Sequence, residues 1–211
     1  MSFYLASTSP ARLATLRAGG VQPVVIPSHV DELAVVARAE AARGRPLAAA
    51  EVVAVLAEAK ANAVATMPGL DGLVLGCDSV FEVGGTIYGK PHTPEEALRR
   101  WRLQRGATGT LFSGHHLIEM RGGTPGASVS EVASAVVTFA GDLDEQEIDD
   151  YVATGEPLEV AGAFTIDGLG GPFIRRIEGD PSTVVGLSLS TVRTLVRRLG
   201  VSWTSLWARK L

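Results

Sequence analysis

The sequence predicts a mixed α/β or α+β fold, and three observations carry that expectation. Short apolar runs rich in Val, Ile and Leu alternate with longer segments of helical periodicity. Some of the strand-like runs are joined by glycine pairs, the mark of antiparallel hairpins rather than helical crossovers. Hydrophobic residues make up 46% and charged residues 20% of a 211-residue chain, which supports a single domain with a substantial core and excludes a disordered tail protein.

The elements follow in order. Residues 3–6 read as a short strand. Ser9 is a good N-cap and Pro10 fits the first helical position, so a helix should run over 10–18 until Gly19-Gly20 stops it. Residues 21–27 form a second strand, with Pro23 pointing to an edge or an irregular start. A helix over 34–43 ends at RGRP, and a longer one covers 48–66 with Val52, Val55, Leu56, Ala59 and Ala63 on its apolar face. Residues 73–76 are an apolar strand that ends at Cys77-Asp78-Ser79. The flanks of Gly84-Gly85 form a hairpin. Thr93-Pro94-Glu95-Glu96 combines a cap, a Pro at the first helical position and a capping-box Glu, launching a helix to Gln104. Residues 110–120 and 132–139 are antiparallel strands joined by a flexible RGGTPGAS loop. A short acidic helix covers 144–153. Residues 161–166 and 172–177 bracket a DGLGG turn, and a last helix runs over 190–199.

Charge and cysteine usage narrow the function. The formal net charge of -4 provides no global basic field for DNA or RNA, although a local basic pocket could hold a small anion. One cysteine, Cys77, allows no internal disulfide and fits a reducing compartment. The first residues lack a basic region ahead of an apolar run, and the longest apolar stretches are broken by charge. No signal peptide or membrane span is expected, and the protein is read as cytoplasmic.

Two stretches approach nucleotide-binding signatures without completing them. GGTIYGK has P-loop spacing, but Pro91 stands where the Mg²⁺-binding hydroxyl belongs, and the glycines fall in a hairpin. GLGG at Gly168 does not complete a dinucleotide fingerprint and reads as a turn. Three other places could carry chemistry. Ser7 and Ser9 stand at a helix N-terminus, where free N–H groups favour phosphate, with Arg12 one turn in. Spacing alone is also satisfied by a plain Ser cap and a solvated Arg. Asp78 ends a buried strand, a position for a metal ligand or general base, though an Asp there can simply cap a turn. Lys90 is fixed between Gly89 and Pro91 and could neutralise phosphate, or could be merely exposed.

The order of these features is more specific than any one of them. LASTSPAR, Asp31-Glu32, EAKA, GCDS, GKP, YVATGEP, AGAFTIDGLGG and VVGLSL occur in sequence across nearly the whole chain. This succession resembles the Maf family of nucleoside triphosphate pyrophosphatases, once named for septum formation inhibition. The resemblance implies a twisted mixed sheet with flanking helices and two lobes around a central cleft. It implies hydrolysis of a nucleoside triphosphate to the monophosphate and pyrophosphate with Mg²⁺ or Mn²⁺, in a cytoplasmic protein that is often a homodimer. Position by position, it assigns Ser7 and Arg12 to the phosphate end, Asp78 as proton acceptor, and Glu32, Lys60 and Lys90 to the catalytic set. Glu32 and Asp78 are hard oxygen ligands suited to the metal.

The sequence departs from the family pattern in the pocket. The family usually reads SPRR, where this chain has Ala11. The branch active on dTTP and UTP has Gln at Asp167 and tends to have Thr at Ser79. With Ser79 and Asp167 assigned to substrate binding, the carboxylate of Asp167 would favour a base edge rich in N–H donors. Elsewhere the plain readings hold. His115 and His116 alternate on a strand and face opposite sides, so they cannot chelate one metal together. Cys77 is a small buried side chain, and the pairs Arg99-Arg100, Arg175-Arg176 and Arg197-Arg198 are solvated. Trp203 and Trp207 pack on the body or on a partner subunit. Metal-dependent nucleotide hydrolysis that clears non-standard or excess nucleotides is the leading reading. The alternative is a catalytically weak, nucleotide-binding regulator of cell division. The presence of Glu32, Lys60, Asp78 and Lys90 favours the enzyme.

Overall fold

The computed structural model describes residues 1–208. The expected mixed α/β architecture is present as a seven-stranded sheet of order β2-β1-β3-β5-β6-β7, with β4 paired to β3. The strands are β1 (Ser2–Ala6), β2 (Val24–Val25), β3 (Gly72–Val83), β4 (Thr86–Tyr88), β5 (Thr108–Arg121), β6 (Thr124–Phe139) and β7 (Ile174–Gly179). The helices are α1 (Pro10–Ala18), α2 (Glu32–Arg43), α3 (Ala49–Ala65), α4 (Pro94–Gln104), α5 (Glu145–Ala153), α6 (Pro181–Val184) and α7 (Leu189–Arg198). Among the described residues no helix is long and apolar enough to cross a membrane.

Local chemistry sets the helix boundaries. Ser9, Asp31, Thr93, Asp144 and Ser188 each accept a backbone N–H in the first turn of the helix they cap. Asp31 starts α2 earlier than the periodicity suggests, which makes Glu32 its first residue.

The sheet differs from the sequence reading in three places. The second strand shrinks to two residues, while Pro23 is buried and Val21 makes only a single bridge to Trp207. RGGTPGAS is not a flexible loop: Gly122 and Gly123 take φ of 56° and 81° and close a two-residue hairpin, so β6 begins at Thr124. β3 does not end at Cys77 but continues to Val83, because antiparallel pairing with β5 carries it onward after β1 has stopped opposite Gly76.

That last difference makes the cleft. β1 and β2 run parallel to the first half of β3 and end, while β3, β5 and β6 extend into a second lobe. Two buried clusters surround the first half of the sheet, one centred on Leu5, Leu75 and Leu117 and the other on Val64, Val74 and Ile118. A third fills the second lobe, where Phe81, Trp101, Phe139, Phe164 and Tyr151 pack edge to face. Trp203 packs on the first lobe, and Trp207 lies against Gly20 while remaining 53% exposed.

Candidate active site

A cleft of about 630 Å³ opens where β1 stops and β3 continues. Its walls carry Ser7, Ala11, Arg12, Glu32, Lys60, Asp78, Ser79 and Lys90, so eight positions singled out in the sequence meet in one place. Asp167 is the exception. It is exposed and outside the cleft lining, and its carboxylate accepts the hydroxyl of Thr165, which does line the cleft.

Asp78 and Ser79 are consecutive strand residues and therefore face opposite sides of the sheet. On Asp78's side lies α3. Lys60 Nζ sits 2.5 Å from Asp78 Oδ1 and 2.6 Å from Glu32 Oε1, linking a buried carboxylate to one on the exposed start of α2. Glycine permits this approach. A Cβ on Gly76 would collide with the Ala57 carbonyl of α3, and one on Gly114, paired directly with Asp78, would collide with the Val53 carbonyl. The helix backbone thus rests on the sheet beside the acid, and Lys60 needs no long reach. Burial pushes the Asp78 carboxyl above its usual range, with the positive charges of Lys60 and Arg12 opposing the shift.

On the Ser79 side, Arg12 spends its guanidinium on neutral acceptors. Nε donates to the Gly186 carbonyl at 2.9 Å and Nη1 to the Cys77 carbonyl at 2.8 Å. Nη1 also reaches Ser7 Oγ at 3.2 Å, and Nη2 reaches Ser79 Oγ at 3.1 Å. Ser79 continues to Ser113 at 2.9 Å, which donates to the Thr183 carbonyl at 3.1 Å. Asp180 supports this turn from below, accepting the Ser182, Ser188 and Ser190 hydroxyls at 2.7, 2.7 and 2.8 Å. Among the described residues no carboxylate forms an ion pair with Arg12, so its charge remains available to an anion in the cleft.

Lys90 enters from the loop after β4. Its side chain is half exposed and meets Glu159 at 3.4 Å. Among the described residues three cations and three carboxylates then line the cleft, with His29 and His92 at its rim. Glu32 and Asp78 each touch Lys60 through one oxygen, which leaves the second oxygen of each free for a hard divalent cation. Among the described residues no three potential metal ligands gather, so a cation would complete its shell from water and phosphate.

A model of the family described as Maf-like protein matches residues 2–199. The chain belongs to the Maf family. It is similar to proteins named nucleoside triphosphate pyrophosphatase. It is 62% identical to that of Leifsonia xyli subsp. xyli over 99% of this chain and 98% of the relative. Identity to the Salinispora tropica protein is 51%, covering 97% and 87%. For the Rhodococcus jostii protein it is 46%, covering 98% and 96%.

Several roles in this Maf chain were not visible to sequence reasoning. Glu156 of YVATGEP accepts the Tyr151 hydroxyl and the Leu169 and Gly170 N–H groups at 2.9, 2.9 and 3.0 Å, which folds DGLGG against the site wall. Arg100 departs from the reading of a solvated pair: it is buried, whereas its neighbour Arg99 is exposed. Cys77 is fully buried, as expected, and burial pushes its thiol up to about 12. His115 and His116 do face opposite sides. One accepts the Ser188 N–H at 3.0 Å and the other pairs with Ser130 at 2.6 Å.

Proposed function

We propose that the chain hydrolyses nucleoside triphosphates to the monophosphate and pyrophosphate. The observation that carries this reading is the Glu32–Lys60–Asp78 chain of contacts in a cleft whose other wall bears Arg12. Asp78 orients a water and takes its proton. The water oxygen bonds to the α-phosphorus while the α–β bridging bond breaks, and pyrophosphate leaves. A carboxyl raised by burial is a better base near neutral pH than an ordinary one. Arg12 and Lys90 hold the departing phosphates, and Lys60 keeps Asp78 ionised and oriented.

The reading includes Mg²⁺ or Mn²⁺ at Glu32 and Asp78. The three cations and three carboxylates of the cleft cancel formally, so a triphosphate bringing about four negative charges calls for further positive charge. The ion would supply that charge and make water more acidic. We also read the protein as cytoplasmic and homodimeric, and as clearing non-standard or excess nucleotides. Light scattering of the purified chain checks the dimer. Asp167 would select the base through Thr165, in which case Asp167→Gln should move preference toward dTTP and UTP. An unchanged ranking removes Asp167 from base reading.

Purified protein with Mg²⁺ or Mn²⁺, offered normal and modified triphosphates, tests the reaction when pyrophosphate and orthophosphate are measured separately. Pyrophosphate is the expected product. Orthophosphate alone would overturn cleavage at the α–β bond, and tight binding without turnover would make the protein a regulator.

A further inference from the structure

Lys90 lies in a segment without regular secondary structure, between β4 and α4, and among the described residues its half-exposed side chain meets one weak partner, Glu159, at 3.4 Å. An exposed pair at that distance cannot fix an ammonium against a phosphate. The backbone beside it is held much more firmly. The carbonyl of Gly89 accepts the Gly162 N–H at 3.1 Å and Arg100 Nη1 at 2.5 Å. Arg100 projects from the second turn of α4. Its Nε is 2.7 Å from Glu96 Oε1, and its guanidinium lies over the Tyr88 ring at 5.0 Å from the centroid. Only 8% of the residue is exposed. The next residue, Trp101, is wholly buried in the second lobe and donates to the Ala163 carbonyl at 2.8 Å.

Burying a guanidinium is costly, and an apolar side chain in this place would avoid that cost. The contacts it makes bear on one object: Nε is oriented by Glu96, the plane rests on Tyr88, and Nη1 donates to the carbonyl immediately before Lys90. Pro91 restricts the chain on the other side. We propose that Arg100 is a positioning residue for Lys90, tying the phosphate-binding lysine to the rigid core of the second lobe through the Gly89 carbonyl. This rests on the proposed reading of Lys90 as a phosphate-binding cation. It gives the Arg99-Arg100 pair a divided role, with Arg99 in solvent and Arg100 acting on the cleft.

A double-mutant cycle on the full chain tests it. Pyrophosphate release is measured for the wild type, Arg100→Met, Lys90→Met and the double variant, with a thermal melt for each. A misplacement of an ångström or so can cost up to about 100-fold, so Arg100→Met should lower kcat/KM by about 10- to 100-fold. The double variant should be no worse than Lys90→Met alone, because Arg100 has nothing to position once the ammonium is gone. Arg100→Lys keeps a donor and charge near Glu96 but lacks the flat fork, and should fall between wild type and Arg100→Met. That variant carries the same test if Arg100→Met does not fold. Losses that multiply in the double variant would overturn the inference and leave Arg100 a structural residue. So would Lys90→Met at wild-type activity. Absence of pyrophosphate release by the wild type would overturn the proposed reaction, and the inference with it.

Discussion

The two faces of the sheet at residues 77–79 carry one buried or half-buried cation each, and they use it differently. Under α3, Lys60 is paired with two carboxylates. On the other face Arg12, from α1, is surrounded by carbonyls and hydroxyls. On the proposed reading, the first arrangement holds an acid for proton transfer and can exchange partners, since each carboxylate touches Lys60 through one oxygen. The second fixes a charge in place without cancelling it. A cleft that must both deprotonate water and hold an anion needs both kinds of cation.

The largest effect expected from breaking the contrast is at Lys60. Lys60→Met leaves Asp78 buried without its partner, which typically costs about 3–5 kcal/mol when the acid is ionised. The sign with pH follows from the raised Asp78 carboxyl. A protonated Asp78 carries no charge, so the loss should be greatest at alkaline pH and should shrink as pH falls through the raised value. Urea unfolding at two pH values measures this, and a pH-independent loss would mean that Lys60 acts by packing alone. The same variant should move the acid limb of any residual kcat/KM profile to higher pH.

His115 sharpens the other face. Burial, then the nearby Arg12 charge, lower its pKa to about 4. The unfolded chain therefore binds an extra proton between that value and about 6.5, and stability should fall as pH falls through this window. The contribution is on the order of 3 kcal/mol. His115→Gln should flatten the pH dependence of unfolding there, and an unchanged slope would show that His115 does not stay neutral. A smaller effect is expected from Arg12→Lys. It keeps the charge but loses the fork shared among Gly186, Cys77, Ser7 and Ser79, for about 1–2 kcal/mol of stability and a raised KM. Thermal melts and steady-state kinetics on the same preparation separate the two losses.

The sequence was most legible where local chemistry decides. Caps and proline at Ser9-Pro10 and Thr93-Pro94 place two helices within a residue of where they lie. The succession of short motifs brought out the cleft residues through the family resemblance, although Lys60 lies within α3 and Asp78 within β3. What escaped depends on distant partners. Nothing near Cys77 says that β3 continues, since the hydrogen bonds that extend it come from β5. Gly76 and Gly114 look like ordinary strand glycines until α3 is laid across them. Arg100 reads as half of a surface pair because burial on α4 is decided by the return of residues 161–164 to that helix. Asp167 lies in a motif that reaches the cleft through Thr165, and spacing could not show which of the two lines it.

The role of Asp78 is tested most directly by Asp78→Asn, a nearly isosteric change that keeps the hydrogen-bonding shape and removes the proton acceptor. Pyrophosphate release and the binding of a non-hydrolysable α,β-methylene triphosphate would be measured on the same folded protein. The expected result is a loss of turnover of about 100- to 10,000-fold with analogue binding preserved. Turnover within a few-fold of wild type would contradict Asp78 as the base of the reaction.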